Sequence, residues 1–216
     1  MNVYYLLLEN LVWNEKDSRL LRFVSPERQR DVLIYKSYIN QKLSLYSALI
    51  IRMQISKKLG MDISDQIFQH KKNYKPQLLA IEKLDFSISH SGHFILCGIN
   101  KRGFIGVDVE KIQKSPLDIM HTCFHKEEIA YVNEARLNEK DSRFFEIWTK
   151  KEAYLKKIGI GLSCNLVLCN TFSRGIIKHQ FFWNQNGYMC AVCADEVTEI
   201  VPVKISEDDL YQFFLT

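Results

Sequence analysis

Apolar and polar positions alternate in some stretches of this chain and recur at helical spacing in others. In "GFIGVDVEKI", residues 103–112, Ile105, Val107 and Val109 fall on one face of a predicted strand and Gly106, Asp108 and Glu110 on the other. "FSISH" and "FILCGIN" precede it as two further short strands, joined by "SG" and "KRG", and the three read as a meander. Val3 to Leu8 form another apolar run, read as an edge or core strand. Helical spacing starts at "SPERQRDVLIYKSYIN", with Ser25 as N-cap and Pro26 at the first helical position. It continues through Leu45, Leu49, Met53 (or Ile50) and Ile55 to a stop at Gly60. Residues 61–84 are less regular and include the basic loop "KKNYKPQLL".

Further on, a helix is predicted from about Lys126 to Leu137, and a second after Asp141 as N-cap, ending at Gly159. "GIIKHQFFW" and "YMCAVCADE" flank Asn186-Gly187, a hairpin-turn dipeptide. Strands and helices mix without regular βαβ alternation, so the expected class is α+β. No repeat, low-complexity tract or flexible linker divides the chain.

The length of 216 residues suits one compact unit or two small halves sharing an interface. Composition is that of a globular protein, 47% apolar and 25% charged. A net charge of +4 suits an anionic ligand or an acidic partner but is too small to argue for nucleic acid. The apolar run at the N-terminus falls far short of the ~20 residues of a membrane span and lacks the flanks of an export signal, so a cytoplasmic protein with no membrane partner is expected. The six cysteines, at 97, 123, 164, 169, 190 and 193, are then expected reduced. Cys190 and Cys193 form a CxxC inside a strand, where an odd separation points them to opposite faces as buried small side chains. His121, Cys123 and His125 imitate a zinc cluster without a nearby fourth ligand, and His93 and His179 read as ordinary surface or strand histidines.

The chemistry concentrates in two places. Asp108 and Glu110 set two carboxylates side by side, beside a glycine expected to leave open space; like charges this close call for a raised pKa or a cation between them. In "FFEIWTKKEAYLKKIG", Phe144, Ile147, Trp148, Leu155 and Ile158 form an apolar stripe with Glu152 and Lys156 on its shoulder and Lys151 near its centre. Alone, that pattern also describes a surface Glu–Lys pair and a snorkelling lysine. Combined with the strand, three carboxylates and a lysine suit Mg²⁺ or Mn²⁺ holding a phosphate.

Gly106-Val107-Asp108, followed 44 residues after Asp108 by Glu152 within "WTKKEAYLK", resembles the paired signature of 4′-phosphopantetheinyl transferases. Trp148, Thr149, Lys151, Glu152, Ala153 and Lys156 fill the second block, and "FSISHSG" at 86–92 and "GIGL" at 159–162 are similar to family blocks in the same order. The length and the Glu110 of the D-x-E position resemble the longer, surfactin-synthetase-activating (Sfp-like) type. The resemblance implies a single-chain pseudo-dimer of two similar α+β halves with the active site in the cleft between them. Residues 1–103 would carry coenzyme A contacts and residues 104–216 the metal and catalytic motifs.

The implied reaction transfers the 4′-phosphopantetheine arm of coenzyme A to a serine of an apo carrier protein and releases 3′,5′-ADP. The resemblance implies Asp108, Glu110 and Glu152 as Mg²⁺ ligands (Mn²⁺ being the other candidate), Glu152 also as base or as holder of a water base, and Lys156 as the group that meets the leaving phosphate. It implies coenzyme A contacts from Ser89, His90, Lys156, and Lys75-Pro76, although Tyr74 stands where the family usually has glycine. Arg28 and Ser44 sit roughly where a basic residue and a hydroxyl would face the nucleotide; Arg28 also reads as a solvated helix residue. A monomer acting on a fatty-acid, polyketide or nonribosomal-peptide carrier is implied, with no nucleic acid. The alternatives are a non-catalytic carrier-binding module and a metal-dependent nuclease or phosphodiesterase. Lys111, directly after Glu110 and therefore on the opposite face, counts against the nuclease.

Overall fold

In the computed structural model the described residues are 1–69, 75–159, 166–196 and 200–216. The chain opens with β1 (Asn2–Leu7), α1 (Glu15–Leu20), α2 (Pro26–Leu33) and α3 (Tyr38–Leu59). Next come β2 (Phe68–Gln69), β3 (Gln77–Leu78), β4 (Asp85–Ser91), β5 (Phe94–Asn100) and β6 (Ile105–Lys111). Then follow α4 (Met120–Cys123), α5 (Lys126–Asn133), α6 (Lys140–Ile158) and α7 (Arg174–Ile177). The chain closes with β7 (Gln180–Gln185), β8 (Tyr188–Ala194), β9 (Val203–Lys204) and α8 (Glu207–Leu215). This is an α+β arrangement. No helix among the described residues is long and apolar enough to cross a membrane.

Two sheets organise it. The first has the order β4-β5-β1-β9, antiparallel except for the parallel β1–β9 pair, which places β1 inside the sheet. The second is the antiparallel order β6-β8-β7, closed at one end by the Asn186-Gly187 turn, where both residues have positive φ as a tight hairpin requires. The expected meander is thus corrected. β6 does not add to β5; it pairs with β8, more than seventy residues later in the chain. The apolar face of β6 makes this possible, because Ile105, Val107 and Val109 join Val3, Phe94 and Leu96 in the core between the sheets.

β4 and β6 run side by side in a different manner. The N–H groups of Ile105, Val107 and Lys111 donate to the side chains of Asp85 (2.7 Å), Ser87 (3.1 Å) and Ser91 (3.1 Å). Each acceptor lies 20 residues before its donor, so the strands are parallel and in fixed register. Short polar side chains here do what a backbone ladder does elsewhere, and the buried amides remain paired.

α6 lies on the other face of β6. The glycine at 106, expected to leave open space, instead marks a close approach: a Cβ there would stand 1.9 Å from the Ala153 carbonyl oxygen and 2.4 Å from the Lys157 nitrogen. Only glycine lets the helix backbone settle there. α6 stops at Gly159 in the left-handed conformation, as its sequence predicts, and α3 stops likewise at Gly60. Ser25 caps α2 and Pro26 begins it. Asp141 is not the cap of α6. The helix starts earlier with Glu139 at that position, and Asp141 accepts from the backbone (2.8 Å) and hydroxyl (2.6 Å) of Ser115 instead. α5 ends at Asn133, short of Leu137, and β7 begins at Gln180 because residues 174–177 turn as helix. Beyond β8 the chain returns to the first sheet, where β9 pairs with β1 and Leu210 and Phe214 of α8 enter its core.

Candidate functional site

The site forms where the β4–β6 seam meets α6. Strand alternation turns Asp108 away from the inter-sheet core, toward the helix that Gly106 admits. Asp108 is 3% exposed. Its Oδ1 accepts from Ser89 Oγ at 2.7 Å and from Lys156 Nζ at 2.6 Å. The same ammonium reaches Ser89 Oγ at 3.0 Å. Its other oxygen, Oδ2, is buried without a hydrogen-bond partner. Two residues on, Glu110 is half-buried and its Oε2 accepts from Ser91 Oγ at 2.7 Å.

Glu152 approaches from α6. Burial raises the carboxyl of Asp108 above its ordinary range, with Lys156 and Ser89 opposing. Glu110 is raised by burial, and Ser91 opposes while the Asp108 charge adds to the rise. Glu152 is raised by burial first and then by the Asp108 charge, with Glu110 adding a smaller push. Lys156 does not make the surface pair with Glu152 that the helix alone would also allow; it turns to Asp108, because a buried carboxylate is the stronger attractor.

Among the described residues no three His, Cys, Asp or Glu side chains already stand as a coordinating set. The donors nevertheless suit a hard divalent cation. Asp108 Oδ2 is a buried carboxylate oxygen left unpaired, and the neighbouring groups are carboxylates that repel one another.

Lys156 and Arg28 both lie near His90. His90 projects from β4 with one side open to solvent, and its imidazole is held below the usual histidine range by desolvation, then by Lys156 and Arg28. Arg28 on α2 donates to the Ser44 carbonyl on α3 at 2.9 Å, and its Nε is buried without a partner. It is therefore half-buried and anchored, unlike a solvated helix residue. Burial lowers its pKa, and Asp31 and Tyr35 oppose. Ser44 itself is buried.

Lys75 is placed differently. It forms an ion pair with Asp85 and donates to the Ile105 carbonyl at 2.9 Å, at the far end of the seam from Ser91. Pro76 follows it, half-buried, just before β3. The residues preceding Lys75, and those of the "GIGL" block after Gly159, lie outside the described residues, as does Cys164.

One row of side chains carried no functional reading in the sequence. Asp85, Ser87 and Ser91 line β4 at period two with Ser89, and that alternation in "DFSISHS" was the available signal. Lys151 is not a snorkelling residue: 1% exposed, it pairs with Glu128 at 2.7 Å and donates to the carbonyls of Leu166 and Cys169. Ile158, expected in the apolar stripe of α6, is exposed instead. His125 caps α5, and Cys190 and Cys193 are buried on opposite faces of β8.

Comparison with known proteins agrees with this geometry. Residues 104–201 match the family model of the 4′-phosphopantetheinyl transferase superfamily. Residues 12–100 match the model described as 4′-phosphopantetheinyl transferase, N-terminal. The chain is 28% identical over 225 residues to the 4′-phosphopantetheinyl transferase gsp of Aneurinibacillus migulanus, covering 94% of this chain and 92% of that one. It is 28% identical over 166 residues to the 4′-phosphopantetheinyl transferase Sfp of Bacillus subtilis, covering 77% and 74%. Against the 4′-phosphopantetheinyl transferase HetI of a Nostoc species identity is 32% over 151 residues, covering 68% and 59%. With both of its parts matched in order, this chain belongs to the 4′-phosphopantetheinyl transferase superfamily, in its Sfp-like type, and its enzyme class is that transferase.

Proposed function

We propose that this protein transfers the 4′-phosphopantetheine arm of coenzyme A to the hydroxyl of a serine in an apo carrier protein, releasing 3′,5′-ADP. The observation that carries the reading is Asp108: a buried carboxylate, one oxygen taken by Ser89 and Lys156 and the other unpaired, next to Glu110 and Glu152. Asp108, Glu110 and Glu152 would hold Mg²⁺, with Mn²⁺ equally suited to such donors. A bound divalent cation supplies positive charge where pyrophosphate oxygens gather negative charge.

The chain's own residues divide the remaining work. Glu152, with its raised carboxyl, accepts the carrier serine proton, directly or through a water, as the serine oxygen bonds to the β-phosphorus that carries pantetheine. The bond from that phosphorus to the bridging oxygen breaks, and its electron pair leaves on 3′,5′-ADP. Lys156 stands at the carboxylates and meets that developing charge, while Arg28 offers further positive charge and His90, its imidazole favoured in the neutral form, offers an N–H donor to coenzyme A phosphates. Ser89 holds both Asp108 and Lys156. In this reading Ser44 backs Arg28, and Lys75-Pro76 shape the approach from the far end of the seam. A cytoplasmic monomer with the site in the cleft between residues 1–103 and 104–216 belongs to the same proposal. The side-chain-stitched seam between β4 and β6 supports that position of the site, while β9 and α8 reach back across the boundary.

Intact-mass measurement of an apo carrier domain, incubated with the protein, coenzyme A and Mg²⁺, tests this. A phosphopantetheine-sized gain that disappears with EDTA and with Asp108→Ala supports it. Coenzyme A binding with no gain on fatty-acid, polyketide and nonribosomal-peptide carriers would leave a carrier-binding module instead.

A further inference from the structure

The β4–β6 seam follows one rule with one interruption. Asp85, Ser87 and Ser91 each accept from an N–H of β6, whereas Ser89 turns its hydroxyl to Asp108. Ser91 does both things at once. Its Oγ accepts from Lys111 N at 3.1 Å and donates to Glu110 Oε2 at 2.7 Å. A serine hydroxyl has a single proton, and with an N–H seated on a lone pair the rotor is fixed, so that proton has a defined destination. The backbone of β6 thereby sets the Ser91 hydroxyl, and the hydroxyl sets the Glu110 carboxylate.

We propose that Ser91 is a positioning residue that orients Glu110 toward the divalent cation. This rests on the reading that Asp108, Glu110 and Glu152 hold such a cation. The same strand contains its own control. Ser87 accepts from Val107 N at 3.1 Å, matching the structural half of what Ser91 does, and donates to none of the three carboxylates. Alanine at either position removes one stitch of the seam; only Ser91→Ala also releases a carboxylate oxygen.

The experiment titrates the full-length protein with Mn²⁺ in the presence of coenzyme A and follows the free-ion electron paramagnetic resonance signal. The parent, Ser91→Ala, Ser91→Thr, Ser87→Ala and Asp108→Ala are compared, with thermal unfolding of each. Ser91→Ala is expected to weaken Mn²⁺ binding about ten- to a hundredfold, the usual range for a lost partner of a metal ligand. Ser91→Thr, which keeps the hydroxyl, restores binding. Ser87→Ala loses thermal stability comparably but binds Mn²⁺ like the parent. Parental Mn²⁺ affinity in Ser91→Ala, with Asp108→Ala still abolishing binding, overturns the positioning role and leaves the cation site standing. Equal weakening by Ser87→Ala also overturns it, since the effect then belongs to the seam. A parent that binds no Mn²⁺ removes the cation reading and this inference together.

Discussion

Lys151 and Lys156 stand on the same helix, α6, and meet opposite surroundings. Lys151 is 1% exposed, pairs with a Glu128 that is fully buried, and donates to two carbonyls. Glu128 is itself saturated, accepting from the backbone and hydroxyl of Thr171 at 2.8 Å each and from His125 N at 2.7 Å. Lys156 keeps a side chain 28% exposed and pairs with an Asp108 whose second oxygen has nothing to accept from. Around Lys151 every charge is matched; around Lys156 three carboxylates face one ammonium, burial raises the pKa of each, and the Asp108 charge adds to the rise of Glu110 and Glu152. A completed buried network holds chain segments together, whereas an incomplete one has capacity for a ligand.

The sharpest way to break that contrast is to substitute each lysine by methionine. Lys151→Met strands a buried Glu128, and removing one partner of such a pair costs about 3–5 kcal/mol. For a chain of this size that is a fall in Tm of roughly 6–20 °C. Thermal unfolding reads it directly, and whatever remains folded should still transfer phosphopantetheine. An unchanged Tm with activity abolished would move Lys151 into the reacting site and dissolve the distinction. Lys156→Met should act the other way, lowering transfer by about 10²–10³-fold, the scale for losing one electrostatic donor at a developing charge. Its Tm loss should be clearly the smaller of the two, because the Lys156 side chain is 28% exposed where that of Lys151 is 1%, so less buried charge is left unmatched. The double variant Glu128→Leu/Lys151→Met sharpens the point, since replacing a whole buried pair with apolar groups is often nearly neutral. It should regain most of the stability that Lys151→Met loses; failure to do so would mean the ties to Thr171, Leu166 and Cys169 matter more than charge matching.

Half of this contrast could be read from the sequence. Period two along β6 placed Asp108 and Glu110 together, and the helical stripe of α6 put Glu152 and Lys156 beside each other and Lys151 inside. Helix ends at Gly60 and Gly159 were equally legible, since a left-handed stop is a local property. What could not be read is long-range. Glu128 is separated from Lys151 by the end of α5, the turn that follows and the first half of α6, so a lysine on an apolar stripe gave no hint of its partner. Gly106 looked like open space because the Ala153 carbonyl that fills it belongs to α6. The adjacency of β4 and β6 was hidden for the same reason. β6 follows β5 directly yet pairs with β8, and only that pairing turns "DFSISHS" from a polar alternation into a row of acceptors for β6. Lys75, free in the sequence, acquires Asp85 through that same seam.

The smallest effect tests the incomplete network without any substrate. The Glu152 carboxyl is raised from its ordinary 4.5, so the folded chain holds that proton more tightly than the unfolded chain. Its contribution to stability is therefore fully present below about pH 4.5 and is lost as pH climbs through the raised folded value. Glu207 and Asp209 of α8 are lowered and work in the opposite sense, in place above their ordinary values and lost on acidification. The whole-protein profile mixes both signs, so the informative quantity is the difference between Glu152→Gln and the parent. In EDTA, urea unfolding should show the glutamine variant gaining on the parent as pH rises from 4.5 to 7.5, because glutamine escapes first the cost of a buried charge and then the repulsion from Asp108 and Glu110. Adding Mg²⁺ at pH 7.5 should reverse the order, since a ligand bound only by the folded state stabilises the chain that binds it better. Parallel profiles in EDTA would mean that the fold does not raise the Glu152 carboxyl. A gain without reversal would mean that burial and like charge strain Glu152 but that the carboxylates take no cation, and the contrast between the two lysines would then be one of electrostatic strain alone.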